Sequence, residues 1–159
     1  MILKHLSHLR HSRKGKHAHS PFVYELSMAV FEKKYPLATS SYHFGNDKYG
    51  RLTAKIAAYF NVKTIATFPS DHPAQAAEMT LINMAPKPNN AYDYFEETVK
   101  YSDNNSVVIV KDIYRSPESA VVWEKIKAHP KTTVTLDLFK MGVVFFRRES
   151  SKENFIIKY

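Results

Sequence analysis

Five of the eight histidines stand in the first twenty residues: His5, His8 and His11 at steps of three, then His17 and His19. On a helix such steps return to one face, and imidazoles placed this way can share a metal ion. A complete site needs further ligands, yet no carboxylate lies in those twenty residues. The expectation is a solvated histidine face and no metal. Arg10, Arg13, Lys14 and Lys16 are interleaved with the histidines, and such a cluster can grip phosphates through counterion release. With no aromatic residue among them, nothing offers base stacking. The arm therefore either folds over the protein's own acidic surface or makes weak anion or nucleic-acid contact, salt-sensitive and indifferent to base sequence. Deleting residues 1 to 16 is expected to remove that contact and spare the fold.

Two other places could carry chemistry. Lys111 and Asp112 close the run "VVIVKD", and the carboxyl end of a strand is where α/β proteins gather ligands. The simpler reading is that Asp112 caps the next loop and Lys111 pairs with it. Phe68, Pro69, Ser70 and Asp71 follow "KTIAT", where an α/β protein would carry a glycine-rich cofactor turn. No glycine lies between Gly50 and Gly142, so bare backbone at positive φ is not on offer there. Pro69 and Pro73 each delete an N–H. Asp71 brings negative charge to a helix start, the place an anionic ligand would seek. The segment reads as an ordinary capped turn.

The elements that would position these residues follow from periodicity. Residues 2 to 11 suit a short amphipathic helix. "HSPFVYELSMAVFEK" begins a second helix with Ser20 as N-cap and Pro21 at its first position, and "NDKYGRLTAKIAAYF" supplies a third. "VKTIATF" is a short buried strand, "HPAQAAEM" a short helix and "TLINMA" a strand, although residues 73 to 85 also fit one continuous helix. "PKPNN" ends that element. Helix "AYDYFEETVKY", strand "SVVIVKDIY" and helix "SPESAVVWEKIKAHP" come next, with Trp123 packed on a sheet. "TTVTLDLF" and "VVFFRRE" form a hairpin about "KMG", and "NFIIKY" reads as one more strand. Alternation of this kind predicts helices on both faces of a mostly parallel sheet, ending in an antiparallel pair.

A chain of 159 residues with 44% apolar content builds one domain. We divide it into a basic arm (1–20), N-terminal helices (21–60) and an α/β core (61–159). The net charge of +8 favours acidic partners and belongs largely to the arm. The apolar residues of the first twenty are scattered rather than gathered into a signal core. Zero cysteines exclude disulfides and fit a reducing compartment. The expectation is a soluble cytoplasmic protein without a membrane span.

Three stretches, "HSPFVYEL", "DKYGRLTAKIAAYF" and "KIKAHPKTTVTLDLFKMGVVFFRRESSKENFIIKY", resemble a group of class I S-adenosylmethionine-dependent methyltransferase-like proteins of Bacteroidetes-type bacteria. The likeness is closest from Ala91 to Tyr159. It implies a three-layer Rossmann-like fold. With "TLINMA" standing as that fold's fourth strand, the second and third are missing, and the sheet order becomes 1-4-5-7-6. The ribose-binding acid that ends the second strand then has no counterpart, and the cofactor crevice loses a wall.

The resemblance with these losses implies a binding or scaffolding protein that has lost S-adenosylmethionine and catalysis. The alternatives are an active S-adenosylmethionine-dependent enzyme with an atypical loop and a small nucleic-acid-binding protein working through its arm. The shortened sheet leaves "KTIATF" as an edge carrying Ile65 and Phe68. Unpaired edges invite association, so the N-terminal helices cover it or two copies meet there. A homodimer is the expectation.

Overall fold

The computed structural model describes residues 2–12, 19–32, 42–70, 77–85 and 87–159. Helix α1 (Ile2–His11) opens the chain. Helix α2 (Pro21–Ser27) starts as expected: Ser20 stands in extended conformation and accepts from the Val23 N–H, with proline at the first turn. A π-helical turn, Met28–Glu32, continues it. Helix α3 (Lys48–Tyr59) is capped by Asp47, whose Oδ1 accepts from the Gly50 N–H at 2.6 Å.

Six strands follow: β1 (Ile65–Phe68), β2 (Met79–Asn83), β3 (Val107–Lys111), β4 (Val134–Asp137), β5 (Met141–Phe145) and β6 (Glu153–Ile156). Helix α4 (Pro88–Tyr101) lies between β2 and β3, and α5 (Pro117–Ala128) between β3 and β4. The strands form one sheet in the order β1-β2-β3-β5-β4-β6. β5 alone is antiparallel to its neighbours, and β6 pairs parallel with β4. Residues 79 to 83 are therefore strand, which rules out one helix over 73–85; the short helix expected at 72–79 falls mostly outside the described residues. "PKPNN" does not simply end an element, because Pro88 already lies in the first turn of α4.

Alternation along the strands splits the interior into two cores. Leu81, Ile109, Leu136 and Val143 face one way and meet Leu26, Leu52 and Ile56 of α2 and α3. Ile82, Val108, Val110 and Val144 face the other way and meet Phe95 of α4 and Trp123 of α5. The result is a mixed sheet between two helical layers, apolar on both faces as buried strands must be.

The β4–β5 hairpin turns earlier than the sequence suggests. Its turn is Leu138 to Lys140, and Met141 and Gly142 already pair with β3 and β4. Phe139 takes a φ of 71°, and its N–H donates to Asp137 Oδ1 at 2.9 Å, so an aspartate-stabilised turn replaces a glycine one. Gly142 is small for a different reason. A Cβ there would lie 2.4 Å from Cη2 of Trp123, so the indole rests on bare β5 backbone. Gly142→Ala is expected to push the indole out of register and destabilise the fold by about 1–3 kcal/mol, read as a lowered urea midpoint.

Candidate functional site

All strands except β5 run the same way, so Phe68, Asn83, Lys111 and Asp137 mark the carboxyl end of the sheet. Asp137 is the centre of that end. It alternates onto the α5 face of β4 and is 3% exposed. Its Oδ1 accepts from His8 Nε2 at 2.9 Å and from the Phe139 N–H, while Oδ2 accepts from Trp123 Nε1 at 3.1 Å and from the Tyr114 hydroxyl. A carboxylate offers about four lone-pair positions, so these four donors leave none for a ligand. The His8 ring also stands edge-on to Phe139, with centroids 5.3 Å apart. Burial first, and then the bond to Asp137, push the Tyr114 phenol well above its ordinary value.

This arrangement overturns part of the expectation for the arm. Residues 2 to 11 form a helix docked on the sheet end, and His8 is 8% exposed rather than on a solvated face. The spacing brings His8 inward because an acceptor 129 residues away awaits it. His11 and His19 are exposed. His17 lies outside the described residues, as does the side chain of His5. Among the described residues no group of three His, Cys, Asp or Glu could hold a metal. Arg10 is exposed on α1, while Arg13, Lys14 and Lys16 fall outside the described residues. Deleting residues 1 to 16 would take one of its four donors from the buried Asp137 carboxylate, a cost to stability that the sequence does not announce.

The other sequence candidates are not brought to Asp137. Asp112 takes a φ of 62°, ends β3 and pairs with Arg115 at 3.7 Å, not with Lys111. Its N–H donates to the Lys140 carbonyl at 2.8 Å, tying β3 to the hairpin. A shallow hollow of about 230 Å³ lies there, lined by Asp112, Arg115 and Lys140. Phe68 packs on Tyr94, and a cis Phe68–Pro69 bond leads into an exposed turn at Ser70. Asp71 lies outside the described residues. Asp137, Tyr114 and His8 were missed as a set. A lone acid inside the apolar run "TVTLDLF", and a buried tryptophan needing an acceptor, were the signals.

Beside this cluster α1 and α5 enclose a groove of about 540 Å³. One wall carries Ser7, His8 and His11, the other Ala120, Val121 and Glu124. Pro117 and Ile156 extend its apolar lining, and Tyr114 lies at its inner end. No helix among the described residues is long and apolar enough to cross a membrane.

Comparison of the chain with protein-family models, with curated proteins and with solved structures finds no match, so none of the three supports a methyltransferase family.

Asp137→Asn, of equal size, is expected to cost about 3 kcal/mol in chemical denaturation by turning an amide N–H₂ toward buried donors. Tyr114 sets a pH dependence. Its phenol is raised in the fold, so its contribution is whole below the unfolded value and is lost as pH climbs above about 10. Thermal melts across the alkaline range should fall less steeply for Tyr114→Phe than for the natural chain.

Proposed function

We propose that this chain is a reduced, methyltransferase-like Rossmann domain that has lost S-adenosylmethionine binding and serves as a binding or scaffolding protein. The observation that carries the reading is the path of the chain across the sheet. β1 is the edge, and β2 and β3 follow it in one direction. A cofactor crevice in such sheets opens where successive connections diverge from neighbouring strands, and no such point separates β1 from β2. The order β1-β2-β3-β5-β4 supports the likeness to a 1-4-5-7-6 sheet. The added β6 lies outside that pattern. At the end of β1 the exposed Pro69 has no N–H to give a ligand. The acidic side chain best placed at the strand ends, Asp137, is fully engaged within the chain.

A thermal-shift assay with S-adenosylmethionine or S-adenosylhomocysteine at millimolar concentration is expected to show no change. A ligand at 100 times its dissociation constant would add about 2.7 kcal/mol, a shift of several degrees in a domain of this size. A clear shift would instead favour the active enzyme with an atypical loop.

Among the described residues β1 is an edge strand of the sheet, and the chain is proposed to form a homodimer at that edge. Ile65 packs on the core, so replacing it tests the fold as much as the edge. The cleaner measurement is sedimentation of the natural chain over a concentration series. A dimer is expected, and a monomer persisting at high micromolar concentration would count against the edge contact.

A further inference from the structure

The donors around Asp137 are spent on it, and this fixes what the adjoining groove can offer. His8 Nε2 lies 2.9 Å from the Asp137 carboxylate and 3.2 Å from its carbonyl oxygen. Both atoms only accept, so Nε2 carries the hydrogen, and in the neutral ring Nδ1 carries the lone pair. Among the described residues Nδ1 makes no hydrogen bond. The same logic applies one helical turn on. His11 Nδ1 lies 2.8 Å from the Ser7 carbonyl, which only accepts, so its lone pair is on Nε2. Across the groove Glu124 adds a carboxylate, one oxygen of which pairs with Lys127 at 2.8 Å. Trp123 and Tyr114 turn their N–H and O–H inward to Asp137. Among the described residues, apart from the Ser7 hydroxyl, which can do either, the polar groups facing this space are acceptors. Between them lie Pro117, Ala120, Val121 and Ile156.

We propose that the groove between α1 and α5 binds a small organic amine, its apolar body against Val121 and Ile156 and its ammonium hydrogens directed to the His8 and His11 lone pairs and to Glu124. The volume of about 540 Å³ falls among ordinary small-molecule sites. A carboxylate or phosphate would meet lone pairs and a like charge, and bring no donor of its own. This inference rests on the reading of the chain as a binding domain, and it does not depend on how the cofactor was lost.

The chain has a single tryptophan, so the Trp123 indole N–H is one resolved signal in a heteronuclear NMR spectrum. The full chain is titrated with phenethylamine and, separately, with hydrocinnamate, which has a matching body and the opposite charge. The amine is expected to shift the Trp123 indole and the backbone amides of Ser7, His11 and Val121 saturably, and the carboxylate to leave them in place. Val121 is 56% exposed, so Val121→Lys sets a cation on the wall without touching the core. It should weaken the amine about tenfold while the melting temperature stays unchanged. Equal shifts from both compounds, shifts from neither, or an undiminished response in Val121→Lys would overturn the proposal. A thermal shift with S-adenosylhomocysteine, without any response to phenethylamine beyond that of hydrocinnamate, would sink both readings. No cofactor response and no amine response would sink this one alone.

Discussion

A carboxylate taken from water and buried at the end of a strand is costly unless every lone pair is met, and Asp137 is met from four directions. His8 reaches it from the first helix, Tyr114 and Trp123 from the loop and helix after β3, and Phe139 from the turn that follows it. Removing any of these donors leaves an acceptor short in a dry site. The arrangement of α1, α5 and the β4–β5 hairpin at this end of the sheet depends on that one side chain.

The requirement propagates outward through sterics. For Trp123 to bring its N–H to Asp137, the far end of its indole comes against the neighbouring strand, where Gly142 leaves room. The hairpin must then turn before Gly142 rather than at it, which falls to Phe139 at positive φ. The Leu138 carbonyl in that turn accepts from the Tyr49 hydroxyl at 3.2 Å, so the opposite helical layer is fastened to the same corner. Polar and apolar constraints agree here, as they do in sequences that specify one structure.

Much of the scaffold was legible because its signals are local. Ser20 before Pro21, Asp47 before α3 and Ser116 before Pro117 mark helix starts within a few residues, and all three act as side-chain caps. The β-branched runs at 107–111 and 134–137 mark strands for the same reason. The cluster at Asp137 was not legible, because its members lie far apart in sequence and each has a plainer explanation alone. A histidine in a basic segment reads as solvated, and an aspartate near a hairpin reads as a turn residue. Gly142 reads in sequence as part of the turn it nearly adjoins, whereas its lack of a side chain serves the indole above it. Long-range partners leave no periodicity, so only the fold reveals them.

The distance in sequence between His8 and Asp137 also orders events during synthesis. Helix α1 is made well before the carboxylate that receives it, which follows 129 residues later. Until β4 emerges, the nascent α1 is a helix of ten residues, too short to persist in water without packing. Its docking closes a loop of 129 residues, the kind of contact that slows folding. The place of α1 on the sheet is therefore settled only once β4 has been made, by the residue that ends that strand.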